Sequence, residues 1–155
     1  MEFTAREDVE APIAYVFAQV TDFAAFERQA LRRGAEVRRR DGMARHGIGS
    51  AWDIAFKFRG KDRQLRAEIT GFDLPNSYRV SLTSAGLEGG LTVDLVSLSR
   101  ERTRMTVTVA VEARSIGARL LLQSLRLARG NMNRRLAARV ADYAVQVQDR
   151  YVRSV

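Results

Sequence analysis

The chain has 155 residues, with 26 Lys plus Arg against 18 Asp plus Glu and one His, for a formal net charge of +8. That length argues for one domain over residues 1–155. An apolar fraction of 46% supports a folded core and argues against disorder. With no cysteine, disulfides, thiolate metal sites and Cys nucleophiles are excluded.

No apolar run approaches the roughly 18 residues of a membrane-spanning helix. The opening Met1-Glu2-Phe3-Thr4-Ala5-Arg6 lacks the basic-then-apolar layout of a signal peptide, so a cytoplasmic setting is the expectation. Among the cations only Lys57 and Lys61 are lysines. The arginines could serve phosphate binding. They are scattered over the whole chain rather than gathered in one segment, so no nucleic acid partner is expected.

From Phe3 to Val9 apolar residues occupy odd positions only, which predicts a strand. Ala11-Pro12 then opens a helix carrying Val16, Phe17 and Val20, with Pro suited to its first position. Thr21 or Asp22 caps a second short helix with Phe23, Phe26 and Ala30, and Gly34 stops it. Ala35–Arg40 is a weak polar strand ending at Asp41-Gly42. Trp52, Ile54, Phe56 and Phe58 alternate with polar or small residues in a strong strand pattern. Gly60-Lys61 predicts a tight hairpin with Gly first, as in a type II′ turn. Leu65, Ala67 and Ile69 form the next row; Leu74-Pro75-Asn76-Ser77 is a turn; Tyr78, Val80 and Leu82 follow.

Gly86–Gly90 is a flexible connection that suits either a gate or a plain hairpin connection. Leu91, Val93 and Leu95 then give way to Val96 and Leu98, a phase slip that predicts a β-bulge near Leu95–Ser97. Arg100–Thr103 turns the chain back into a row of Met105, Val107, Val109 and Val111. Short turns between successive strands imply an antiparallel meander. From Ser115 to Arg150 the period becomes helical. Leu121, Leu125, Ala128, Met132, Leu136, Val140, Tyr143 and Val147 make one apolar stripe on one long helix, with Gly130 marking a bend. The predicted architecture is α+β: a curved antiparallel sheet of about seven strands, two short helices after the first, and a long C-terminal helix covering the apolar sheet face.

This order resembles the helix-grip fold of the START/Bet v 1-like superfamily, in particular its polyketide cyclase/dehydrase-like (SRPBCC) branch. The resemblance spans essentially the whole chain. Its clearest piece is Val9 to Phe23, where Pro12, Val16, Phe17, Asp22 and Phe23 match the family's pattern; Gly47-Ile48-Gly49-Ser50-Ala51-Trp52 resembles its Gly-x-Gly strand entry. These motifs are structural rather than catalytic, and fold does not imply function. The resemblance implies a cavity between sheet and C-terminal helix for an apolar or amphipathic small molecule. Members of the superfamily include lipid carriers, ubiquinone-binding proteins, hormone receptors and aromatase/cyclases.

Candidate lining residues are Trp52, Ile54, Phe56, Tyr78, Val80, Leu82, Met105, Val107, Leu125, Met132 and Leu136. Any one of them also suits plain core filling. Trp52 and Tyr78 add a hydrogen-bonding group that suits orienting a ligand. His46 would titrate in the right range for a general base, but its loop offers no paired group. One His without Cys argues against zinc, and no cofactor or metal is expected. Glu7 and Arg39 share parity with apolar neighbours; a buried pair would bind a polar head, whereas solvated rim positions are the preferred reading. Asp53 and Glu68 lie on the outward parity. Ser115, Arg119 and Ser124 are weaker candidates for the cavity mouth.

The arginines of the last helix would suit an anionic membrane surface, but their spread around the helix reads as a solvated face. The favoured reading is a binding or carrier protein for a lipid-, quinone- or polyketide-like molecule, as monomer or homodimer. The alternative is a cofactor-independent aromatase/cyclase or dehydratase using the same cavity, with Tyr78, Glu7 and Arg39 as its polar groups. A third reading is an interaction module that exploits the positive charge.

Overall fold

The computed structural model describes residues 1–155. The opening strand β1 (Glu2–Val9) leads into the helices α1 (Ile13–Val20) and α2 (Phe23–Arg32). Six strands follow: β2 (Glu36–Arg39), β3 (Ala51–Phe58), β4 (Lys61–Asp73), β5 (Ser77–Ser84), β6 (Leu87–Ser99) and β7 (Arg102–Ala113). The chain ends in α3 (Ile116–Leu127) and α4 (Arg129–Ser154). The strands form one antiparallel sheet in the order β1-β7-β6-β5-β4-β3-β2, so β1 and β2 are its opposite edges. The expected helix-grip architecture is present.

Local chemistry sets the element ends. Pro12 is the extended residue before α1 rather than its first helical residue. The Asp22 carboxylate accepts from the Ala25 N–H at 3.1 Å and caps α2. Gly34, at φ +90°, ends that helix in the left-handed region where a side chain is costly. The β3–β4 turn is centred on Arg59-Gly60, not Gly60-Lys61, and both of its residues have positive φ, as a type I′ turn requires. Ala85-Gly86 repeats this between β5 and β6.

Two further expectations are corrected, and the bulge expected in β6 is found close to its place. The segment Gly86–Gly90 is no gate, because β6 begins at Leu87 and is paired on both sides. A Cβ at Gly89 would meet the Ala110 carbonyl oxygen at 2.3 Å, so this glycine serves close approach of neighbouring backbone. The expected bulge in β6 falls between Ser97 and Ser99, and β4 carries a second between Ile69 and Gly71. The latter switches parity so that Phe72 turns inward and packs edge-on against Phe17, ring centroids 5.4 Å apart. Finally, the single long helix is two. Ala128, with φ −99° and ψ 11°, leaves helical geometry just before Gly130. The break lets α3 pack on β7 while α4 runs along β1.

Candidate functional site

Cross-strand register sorts the inward side chains into rows. One runs Phe72, Tyr78, Val93, Val107 and Ala5; the next runs Ile69, Val80, Leu91, Val109 and Phe3. A third holds Arg39, Trp52, Ala67, Leu82 and Gly89, and a fourth holds Val37, Ile54, Leu65 and Ser84. Phe56 opposes Arg63 beyond them. Burial falls along this progression. Ile69, Tyr78, Val80, Val93 and Trp52 are buried, whereas Leu82, Leu91, Ile54, Leu65 and Phe56 are half-buried and Phe58 is exposed. On the helices Leu125, Met132 and Leu136 are half-buried as well, and Leu136 packs against the core.

Burial is therefore complete beside α1, where Val9, Val16, Phe17 and Val147 pack with the sheet, and partial toward the two hairpin turns, which makes the inner face at that end the candidate cleft. Surface area agrees. The chain exposes 9835 Å². A close-packed monomer of 17.4 kDa is expected to expose about 7,900 Å². An excess of about a quarter, coupled with half-buried apolar rows, is what an apolar cleft would produce.

The polar groups at this cleft are few. Tyr78 and Tyr143 have hydroxyls without a hydrogen-bond partner in the chain. Burial pushes the Tyr78 phenol well above its usual range, with the neighbouring Tyr143 adding to the shift. Burial likewise raises Tyr143, to about 12, against an opposing pull from Arg150. Both stay protonated near neutral pH and are hydrogen-bond donors, not bases. Arg63 shares the inward parity of Leu65, Ala67 and Ile69, and its Nε is buried with no partner. The only sign of Arg63 in the sequence is its period-two spacing from Leu65, Ala67 and Ile69.

A second constellation closes the β2 side. Asp41 accepts from Arg39 through both carboxylate oxygens, from Ala51 N–H at 2.8 Å and from Met43 N–H at 2.9 Å. The Arg39 hydrogen bond, foremost, holds the Asp41 carboxyl well below the usual carboxylate range. Arg39 also lies 5.5 Å from the Trp52 ring and places its Nη1 at 3.1 Å from His46 Nε2. That contact makes His46 an acceptor at Nε2, with its proton assigned to Nδ1. His46 stacks on Trp52 at 5.8 Å and 15°. Trp52 Nε1 donates to Glu27 Oε1 at 2.6 Å, so its polar atom is committed to α2. Phe23 packs against Trp52 and Tyr78, and Phe26 meets Tyr143, joining α2 to α4.

Of the eleven predicted lining residues, Trp52, Tyr78, Val80 and Met105 sit in the buried core. Ile54, Phe56, Leu82, Val107, Leu125, Met132 and Leu136 are half-buried. Glu7 and Arg39 occupy inward rows on opposite edge strands, so they do not pair; Glu7 stands across from Met105. Ser115 caps α3 by accepting from Ala118 N–H, Ser124 accepts from Arg59 across the cleft mouth, and Arg119 is exposed. Asp53 lies on the outer face with Arg40 at 2.8 Å and Arg66 at 3.5 Å. No cluster of three or more His, Asp or Glu side chains is placed to hold a metal.

A concavity of about 770 Å³ is lined both by Val37, Ile54, Leu65 and Ser84 of the fourth row and by the outward-parity Arg38, Asp53, Arg66, Thr83 and Glu88, with Arg114 beside them. Among its charges, Asp53 pairs with Arg40 and Arg66, and Arg114 with Glu88 and Glu112 at 3.0 Å each, while Arg38 and Glu36 are in no ion pair.

Comparison of the whole structure with solved ones settles the fold. The chain superposes on TTHA0849 from Thermus thermophilus with a TM-score of 0.66 and 19% identity, over 95% of this chain and 97% of the other. The Zhui aromatase/cyclase from Streptomyces sp. R1128 gives 0.64 at 13% identity, over 94% of each chain. The helix-grip fold is one this chain shares with these solved proteins. The same helix-grip appears in norcoclaurine synthase from Thalictrum flavum, with a TM-score of 0.65 and 11% identity over 96% of this chain and 84% of that one. No protein-family model and no curated protein matches the sequence. At these identities the likeness is one of fold.

Proposed function

We propose that this helix-grip protein binds a hydrophobic or amphipathic small molecule between its sheet and its C-terminal helices, and carries it without transforming it. The observation that supports this reading is the gradient of burial along one continuous apolar face, from the sealed Ile69 and Val147 to the half-buried Leu82, Ile54, Phe56 and Met132. A protein with no use for the space gains by filling it, since empty apolar volume forfeits packing. The titratable groups nearby favour binding over chemistry. His46 Nε2 is taken by Arg39, Asp41 is held by Arg39 and two backbone N–H groups, and the tyrosines stay protonated.

The ligand is of lipid, quinone or polyketide type: an apolar body for the rows and an oxygen function within reach of a tyrosine hydroxyl. The two partnerless hydroxyls also support a second reading. In a cofactor-independent cyclase or dehydratase, Tyr78 and Tyr143 would donate to a substrate carbonyl and stabilise charge as it develops there. Solved proteins of this fold include an aromatase/cyclase.

Native mass spectrometry of freshly purified protein, followed by denaturation and extraction, tests the binding reading. A discrete apolar mass released on denaturation is the expected result. A protein that arrives empty and also fails to take up a neutral apolar dye such as Nile red would overturn it.

A further inference from the structure

Helix α3 is apolar on two sides. On one, Ala118 and Leu122 are buried, and Leu121 and Leu125 are half-buried. The opposite side is also apolar. Ile116 is 79% exposed, Leu120 63% and Leu127 93%. At 3.6 residues per turn these three lie within roughly 40° of one another, on one stripe. Arg119 and Arg126 flank the stripe, and Arg129 follows at the start of α4; all three are exposed and none is in an ion pair. Between residues 113 and 141 the chain has seven arginines and no Asp or Glu. A face with large apolar side chains at its centre, cations at its rim and no anions along its length matches an interface with lipid tails under a layer of phosphates. Nucleic acid would use the arginines but give Ile116, Leu120 and Leu127 nothing apolar to enter. A second copy of the chain would set arginine against arginine across a two-fold axis.

We propose that α3 and the start of α4 dock on an anionic phospholipid bilayer, with the Ile116–Leu120–Leu127 stripe entering the headgroup region and Arg119, Arg126 and Arg129 meeting phosphates. Docking stands on this surface alone. That it serves ligand exchange rests on the cleft reading above, since Ser124 on the same helix accepts from Arg59 in the β3–β4 turn at that end of the sheet.

Co-sedimentation with vesicles tests the docking. The protein is expected to bind vesicles of equal parts phosphatidylglycerol and phosphatidylcholine, and to bind phosphatidylcholine alone far more weakly. Binding should fall with added salt. Arg119→Ala and Arg126→Ala should each weaken it about fivefold. Leu120→Ser with Leu127→Ser should weaken it more than tenfold, while circular dichroism and melting temperature stay unchanged because both side chains are already in water. Equal binding to both vesicle types, or no binding to either, overturns the proposal. So does sedimentation showing a dimer that the double leucine variant converts to monomer, or capture of an RNA fragment by protein that ignores the vesicles. Loss of Nile red uptake with intact vesicle binding would overturn the cleft reading alone.

Discussion

Truncating one residue from each end of the inner face separates a sealed core from an open cleft. Ile69 is 0% exposed, in the row beneath the helices. Ile69→Ala removes three carbons, each worth about 0.8 kcal/mol on burial, for roughly 2.4 kcal/mol of transfer. The cavity left behind raises the total to about 3–4 kcal/mol. For a chain of this length that corresponds to a loss of roughly 6–15 °C in melting temperature. Leu82 pairs across β4 with Ala67 and is half-buried at the cleft. Leu82→Ala loses about half the transfer energy and adds no new void, because the space beside it is already open. The expected cost is about 1 kcal/mol, or 2–4 °C. Binding runs the other way. Leu82→Ala and Leu82→Trp should both change Nile red affinity, the latter by blocking the cleft, while Ile69→Ala should leave it nearly intact at temperatures where the protein stays folded. Differential scanning fluorimetry and a dye titration on the three variants decide the matter. If Leu82→Ala costs as much as Ile69→Ala and neither Leu82 variant alters dye binding, the cleft is a packed core and the reasoning fails.

Further outcomes follow from single contacts. Thr103 is 0% exposed and its Oγ1 donates to the Ala11 carbonyl at 2.8 Å; Thr103→Val should cost about 1–3 kcal/mol in urea unfolding by leaving that oxygen dry and unpaired. The folded state depresses the Asp41 pKa, so the stability it contributes is present above the ordinary carboxylate value near 3.8 and drains away as pH falls below it. Asp41→Asn should flatten that acid limb when unfolding is followed against pH, and an unchanged limb would show that Asp41 does not carry it. An anionic head group would meet the partnerless Nε of Arg63, so hexadecanoate should bind about tenfold more tightly than hexadecanol, and Arg63→Leu should erase the preference. Equal affinities in the unaltered protein would sink that role for Arg63.

Much of the fold was legible because period-two and period-3.6 patterns report directly on which side of an element is dry. The alternation through Trp52–Phe58, Leu65–Ile69, Tyr78–Leu82 and Met105–Val111 placed four strands and their inward faces, and short turns made the sheet antiparallel. The Pro12-to-Phe23 segment and the phase slip after Leu95 were equally local signals. Turn chemistry was read less well. Arg59 and Ala85 sit at positive φ in tight hairpins, against their intrinsic preference, because strand pairing on both sides leaves two-residue loops no other choice. The glycines of 86–90 suggested freedom, whereas Gly89 is a glycine because neighbouring backbone fills the place of its Cβ.

By itself the sequence determined the order and type of elements, the inward rows of the sheet and the apolar stripe above them, since these depend on spacing within a few residues. Tertiary structure alone decided how tightly those rows close. Ile69 and Leu82 are both inward apolar residues on adjacent strands, and only the path of α3 and α4 makes one core and the other cleft wall. It likewise decided that Arg39 answers Asp41 and His46 while the Nε of Arg63 has no partner, and that helical geometry yields at Ala128 and divides the C-terminal helix in two. Each of these turns on where a distant element lies, and periodicity carries no record of distance between elements.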